Sequence, residues 1–529
     1  MTPMRDTEWA AFDRTGPWEV PTEGIAWLSR APELRAAAWR EIPRLTVPTR
    51  VPPIRRLATV VWVLGRAIAP WWWHKRRRRF SSSSASRAFL SLRLRRAMER
   101  LGSTYIKLGQ IISSGEGLFP AELVEEFKRC RDQVPPVPFD TVRDVVEADL
   151  GQPLESVFAT FEREPLAAAS IAQVHLATLP GGEEVVVKVQ RPTVSSLVRL
   201  DLKVMAWLAS RLVGRIKVTA LANPPALVEL FAETIVEELD FRIEASNMID
   251  VARMLRDLGQ DNYVVPRPHP VLVAPRVLVM QRLSGFKFDD VAGMRDAGID
   301  TEAVIRTGMI SFMEGALIHG VFHGDLHGGN LFVLADGRTA LLDFGIVGRL
   351  TGARRMAFLR LMLNATTNNV VGQVEALRDL GALPTDTDIA AVIRDLNLDS
   401  PVDPTSLSGE ELVREVQRVV KAMLGYGARM PKELMLYVKN LVFLDGAIAR
   451  LAPDLDLLGE IANISMLFAQ RHGERLGREL GVDHTAVEIN LDSVKATLGV
   501  DVSTNSMTYR DLQRRRELIQ RRMREQVGR

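Results

Sequence analysis

A single cysteine, Cys130, is the only thiol in 529 residues. That excludes an intramolecular disulfide and a multi-cysteine metal site, and it suits a reducing cytoplasm. A large excess of either charge is missing too, since the formal net charge is +3. The first twenty residues hold no basic start followed by an apolar run, so no signal peptide is expected. A helix needs about 20 apolar residues to cross a bilayer. The nearest stretch, residues 57–73, spans only 17 residues including Arg66 and Pro70, which makes it marginal, and residues 459–529 hold no long apolar run. No transmembrane helix is expected, and no internal repeat is visible.

The chain does contain 47% hydrophobic and 25% charged residues, enough for a sizeable core in several domains or one large two-lobed domain. Its basic residues are concentrated in "HKRRRRF" (74–80) and in the tail "YRDLQRRRELIQRRMREQVGR" (509–529). Such blocks attract phosphate-bearing partners, nucleic acid or an anionic membrane surface. Neither interleaves aromatics in a recognisable nucleic-acid module, so no nucleic acid is expected. Trp71, Trp72 and Trp73 stand beside five cations, the composition of an interfacial anchor. A helix packed on the protein's own surface is the competing reading. A peripheral location on the cytoplasmic membrane surface follows from the first.

Composition and periodicity divide the chain into six segments. Residues 1–56, rich in Pro and Trp, are expected to form a loosely structured arm. Residues 57–86 make the basic, Trp-rich segment, ending in a Ser-rich linker at 81–86. Residues 87–160 read as a helical extension. Residues 161–285 read as a small β-rich lobe: "AAASIAQVHLATL", a "PGG" turn and "EEVVVKVQRP" predict a hairpin, followed by one long helix over 225–258 and a strand within 276–285. Residues 286–475 form a helical lobe in which two short apolar runs flank the turn "ADGR". Residues 476–529 are a basic helical tail with Leu512, Ile519, Met523 and Val527 on one stripe, suited to a membrane surface or a partner, with a solvated coiled segment as the competing reading.

The helical lobe carries the clearest chemical motifs. "HGDLHGGN" places Asp325 and Asn330 five residues apart, and "LLDFG" follows with Asp343. Phosphoryl transfer needs a lysine on the phosphates, oxygen ligands for Mg²⁺, and a carboxylate near the attacking hydroxyl. The D-x-x-x-x-N spacing is that of a kinase catalytic loop: Asp325 at the acceptor, Asn330 and Asp343 on the metal. The strand "VVVKV" supplies Lys188, and "EELDFRIEASN" offers Glu238, Asp240 and Glu244 as partners. His319, His323 and His327 recur every four residues, but Gly324, Gly328 and Gly329 break any helix that would align them, which argues against zinc. No G-x-G-x-x-G covers the phosphates. Ala167, Ala168, Ala169, Ser170, Ile171 and Val174 take its place in a stiffer loop. After Gly345 there is no A-P-E, and a peptide substrate is not expected.

Together "LGSTYIKLGQIISS", "AAASIAQVH", "VVVKVQRP", "EELDFRIEASN", "HGDLHGGNLF" and "LLDFG" resemble the UbiB/AarF (ADCK) atypical kinases over residues 95–350. The resemblance implies a protein-kinase-like α+β fold with a small β-rich lobe, a large helical lobe and a helical K-x-G-Q extension over the active site. Lys107 and Gln110 would then point into an ATP site. Glu238 and Asp240 would form an acidic pair facing Lys107, Glu244 would pair with Lys188, and Gln281 and Leu283 would lie at the adenine hinge, where Gln281 replaces a common acid. It also implies ATP and Mg²⁺ as cofactors. Quinone or lipid precursors, and quinone-biosynthesis proteins, become the expected partners.

Three activities compete. The first is an Mg²⁺-dependent atypical kinase or ATPase serving isoprenoid quinone biosynthesis or membrane lipid homeostasis. A small-molecule phosphotransferase of the aminoglycoside or choline type shares the H-G-D-x-x-x-x-N loop but lacks K-x-G-Q. A nucleotide- and lipid-binding scaffold with little turnover is the third.

Overall fold

The computed structural model describes residues 25–113, 120–130, 135–212, 224–367, 369–396, 423, 425–481, 503–504, 506–515 and 517. The fold is α+β, as the sequence predicts, and the chain separates into two compact units. One is built from the chain up to Arg253 with Val264–Ser284 and Leu342–Ile346; the other from Met254–Tyr263, Gly285–Leu341 and the chain from Val347 onward.

The first unit opens with helices α1 (Ala26–Thr46), α2 (Ile54–Arg76), α3 (Ser83–Leu101), α4 (Ser103–Ser113), α5 (Ala121–Phe127) and α6 (Phe139–Leu150). Strands β1 (Thr160–Phe161), β2 (Ala167–Ala168), β3 (Ala172–Thr178) and β4 (Glu184–Gln190) follow, then α7 (Val194–Leu212), α8 (Pro224–Ile235) and α9 (Phe241–Asp257). Strands β5 (Pro268–Val273) and β6 (Val277–Gln281) complete an antiparallel sheet of order β1-β3-β4-β6-β5, with β2 also on β3. Alternation along β4 decides its two faces. Val185, Val187 and Val189 pack with Val142, Val145 and Val146 of α6, while Lys188 points to the opposite side.

Four expectations need correction here. Residues 26–46 are helical instead of a loose arm; Trp27, Ala31, Ile42 and Leu45 are buried, and the Trp27 indole N–H donates to the Pro270 carbonyl at 3.0 Å. Periodicity was faint because the buried stripe is thin and Pro32 and Pro43 interrupt the pattern. Residues 1–24 lie outside the described residues. The expected Ser-rich linker shrinks, because Ser82 caps α3 by accepting the Ala85 N–H at 3.0 Å. The expected helix over 225–258 is broken, residues 213–223 lying outside the described residues. A 3₁₀ turn at Glu237–Leu239 and an extended Asp240 separate α8 from α9, where the Asp240 carboxylate accepts the Arg242 N–H at 3.1 Å.

The second unit contains β7 (Phe286–Lys287), α10 (Thr301–Glu314), β8 (Val321–His323), β9 (Leu331–Val333), β10 (Thr339–Leu341) and β11 (Val347–Arg349). Helices α11 (Ala353–Thr366), α12 (Val370–Asp379), α13 (Ile389–Leu396), α14 (Lys432–Leu451) and α15 (Leu457–Leu480) follow. The β9–β10 hairpin pairs Leu331 with Leu341, so its two ends lie opposite each other. The fourth correction concerns the tail stripe. Leu512 is buried, in a segment tied to Asp456 through Thr508, whereas Ile519, Met523 and Val527 lie outside the described residues.

Candidate active site

In the first unit, Lys188 stands opposite Val174 of β3 and Leu278 of β6. Its ammonium lies 2.7 Å from Glu244 Oε1 and 3.3 Å from Asp343 Oδ2, over the ring of Phe241 at 5.4 Å. Burial alone would lower the pKa of this lysine. The carboxylates of Asp343 and Glu244 outweigh it and hold the group above its ordinary value, so it is charged. The two acids differ in exposure: the Glu244 side chain is 2% accessible, that of Asp343 45%. Glu244 is thus a buried anchor, and Asp343 is open to a solvent-borne ligand.

Asn247, one turn beyond Glu244, joins the site without a signal in the sequence. Its amide donates to the Phe344 carbonyl at 2.9 Å, and Glu244 accepts the Phe344 N–H. With Phe344 fully buried and the Gly345 N–H donating to Asp343 Oδ1 at 2.9 Å, the D-F-G backbone is fixed from both sides.

The alanine-rich loop is a tight turn between β2 and β3. Ala167 pairs with Val174 and Ala168 with Gln173, and the Ala169 N–H donates to the Ala172 carbonyl at 2.8 Å. Among the described residues the one non-glycine positive φ is at Arg78, so these alanines sit in ordinary backbone. Two residues outside the motif close the loop: Ser103 donates from its hydroxyl to the Ser170 carbonyl, and Arg191 Nε donates to the Ala169 carbonyl at 3.0 Å.

Lys107 on α4 meets Glu238 at 3.0 Å, side chains 15% and 11% exposed. Gln110 follows one turn later on the same helix. Between them, Gly109 has a packing reason: a Cβ there would lie 2.9 Å from Phe127 and 3.3 Å from the Cys130 sulfur. Asp240 does not join Glu238 on Lys107; its carboxylate holds the Arg242 guanidinium at 2.7 Å. Gln281 accepts from Arg267 Nε at 2.9 Å, and Leu283 lies half-buried just past β6.

The second unit carries the loop of Asp325 and Asn330. The Asn330 amide donates to the Asp325 carbonyl at 3.1 Å, which leaves the amide oxygen as the acceptor atom a cation would need. Lys439 on α14, not foreseen from sequence, ion-pairs with Asp325, and Asn440 accepts the Leu326 N–H at 3.0 Å. The histidines do separate jobs. His323 accepts the Asp325 N–H at 3.2 Å, His327 accepts the Gly329 N–H at 3.1 Å, and His319 lies 3.6 Å from Asp257.

The family model described as "ABC1 atypical kinase-like domain" matches residues 129–377. An uncharacterized Mycobacterium tuberculosis protein is 37% identical over 385 residues, 70% of this chain and 78% of its own. An uncharacterized aarF domain-containing protein kinase of Arabidopsis thaliana, described as chloroplastic, is 34% identical over 396 residues, 69% of this chain and 73% of its own. A probable protein kinase UbiB of Pseudomonas aeruginosa is 34% identical over 375 residues, 69% of each. A solved structure described as the complex of Rv3197 with erythromycin, from M. tuberculosis, covers 65% of this chain and 91% of its own. At 24% identity and a TM-score of 0.39, that likeness is too slight to carry a statement about ligand.

Proposed function

This chain belongs to the UbiB/AarF family of atypical kinase-like proteins, whose ABC1 domain it carries, and we propose that it is an Mg²⁺-dependent ATP-binding kinase or ATPase acting at a membrane surface. The observation that carries the proposal is the buried charged lysine, Lys188, anchored by Glu244 and flanked by the open carboxylate of Asp343. A fixed cation beside an accessible anion is the arrangement a metal-bound polyphosphate requires.

Asn330 and Asp343 are the proposed Mg²⁺ ligands. Asn330 immediately precedes the Leu331–Leu341 register pair and Asp343 follows it by two residues. Their donor set, one amide oxygen and one exposed carboxylate, fits an ion that keeps several waters and binds through phosphate. When bound, the ion would neutralise charge on the phosphates. Lys188 would hold the phosphates, the alanine-rich turn would cover them with backbone, Gln281 and Leu283 would lie at the adenine, and Lys107 with Gln110 would complete the site from α4, with Glu238 positioning Lys107. Asp325 would accept the proton of the attacking hydroxyl. The acceptor class we propose is a membrane-resident quinone precursor or lipid.

Membrane contact is assigned to α2. Its inner side is built into the core through Val60, Val63 and Ala67, while Val61, Trp62, Ile68, Trp72 and Trp73 are exposed on the other. Arg76 and Arg77 cover the rings of Trp72 and Trp73 at 5.2 and 4.0 Å. Apolar and indole groups flanked by cations suit a helix lying in the headgroup layer of anionic lipid. No helix among the described residues is long and apolar enough to cross a membrane.

The test is phosphate release by the full chain with Mg²⁺ or chelator, with and without anionic vesicles. Turnover should require Mg²⁺ and rise with vesicles. An absence of Mg²⁺-linked affinity for adenine nucleotides would end the proposal.

A further inference from the structure

We propose that Lys439 is a positioning residue for phosphoryl transfer, supplying from α14 a cation that the loop around Asp325 does not itself provide. The inference rests on the assignment of Asp325 to the acceptor side.

The loop is held unusually completely. The Asp325 N–H donates to His323, its carbonyl accepts from Asn330, and its carboxylate is taken by the Lys439 ammonium. The next residue of α14, Asn440, is fully buried, donates to the His323 carbonyl and accepts the Leu326 N–H at 3.0 Å. Two consecutive side chains of one helix thus grip the backbone on both sides of Asp325 and its carboxylate. The cation comes from 114 residues downstream. His323 and His327, the other polar side chains flanking Asp325, are occupied at Nδ1 by the Asp325 and Gly329 N–H groups.

A surface ion pair would mean little, because solvent screens it. This pair is 22% and 16% exposed, so the carboxylate is shielded yet reachable. Asn440 holds the backbone of the loop, while Lys439 acts on the carboxylate itself. In the transfer step the acceptor oxygen bonds to the γ-phosphorus, and its proton passes to Asp325. The bond from the γ-phosphorus to the bridging oxygen breaks, and ADP leaves with that electron pair. The negative charge of that carboxylate repels an incoming anionic phosphoryl group. An ammonium on the far oxygen of that carboxylate offsets the repulsion and fixes which oxygen faces the acceptor.

The experiment measures kcat and KM for MgATP, ATP affinity and Tm for the full chain carrying Lys439→Met, Lys439→Arg or Asp325→Asn. Turnover is normalised to the fraction that binds a fluorescent ATP analogue, so poorly folded molecules do not count. Lys439→Met should lower kcat about 10- to 100-fold, leaving KM and ATP affinity within about twofold. Lys439→Arg should recover most of the loss. A Lys439→Met protein with wild-type kcat, or a Lys439→Arg protein as slow as Lys439→Met, overturns the inference. If Asp325→Asn turns over normally, the acceptor-side assignment falls and the inference falls with it. If Asp325→Asn is inactive while Lys439→Met is normal, only the inference falls.

Discussion

Two carboxylates share Lys188, and they should fail in opposite ways when neutralised. Glu244 is 2% exposed and 2.7 Å from the ammonium. Removing one partner of a buried pair costs about 3–5 kcal/mol. Glu244→Gln keeps the shape and one acceptor oxygen, and Asp343 remains as a second partner. We therefore expect a loss of about 1–3 kcal/mol, a fall of roughly 2–10 °C in Tm. Asp343 is 45% exposed and 3.3 Å away, and its other oxygen accepts the Gly345 N–H, which an asparagine oxygen also can. Solvent screening limits the cost of Asp343→Asn to about 0–1 kcal/mol. Its expected functional cost is far larger, because the proposed Mg²⁺ would contribute several kcal/mol of charge stabilisation. About 3 kcal/mol of that corresponds to roughly 100-fold in turnover. Urea denaturation read beside Mg²⁺-dependent nucleotide binding and phosphate release separates the two. A Glu244→Gln protein as stable as wild type, or an Asp343→Asn protein with normal Mg²⁺-linked binding, would refute the division of roles.

Other predictions follow from the same architecture. His269 is fully buried and accepts the N–H groups of Val271 and Leu272 at 3.0 Å each; burial pushes its pKa down to about 3. The folded protein then binds fewer protons than the unfolded chain between about pH 6.5 and 3, so stability is lost as pH falls through that window, by on the order of 5 kcal/mol in full. His269→Gln should flatten this acid limb in urea midpoints measured against pH, and parallel curves would count against it. At Gly109, alanine gains about 1 kcal/mol in helix propensity but meets overpacking of about 1–3 kcal/mol against Phe127. Gly109→Ala should be modestly destabilising, and Phe127→Leu should relieve it in a double-mutant cycle. Additive effects would show that the contact is not the cause.

Lys188, Asp325, Asn330 and Asp343 were legible in the sequence because their types and short spacings match a kinase-like template, and Lys107 was legible only through the family resemblance. So was the face of β4 that carries Lys188, because alternation in "VVVKV" leaves one side for the core. What the sequence left open was every partner that lies far along the chain. Nothing local assigns Lys439 to Asp325, Asn247 to the Phe344 backbone, or Ser103 to the alanine-rich turn. Nor could it show that residues 26–46 belong to the core, since four buried side chains on a proline-interrupted helix give too faint a period. By itself the sequence determined which chemical groups are available and much of the local secondary structure around the motifs, both set by short-range backbone and side-chain preferences. Only the tertiary structure decided which of those charges meet and which acid is buried or open, because pairing and desolvation arise from packing between segments distant in the chain.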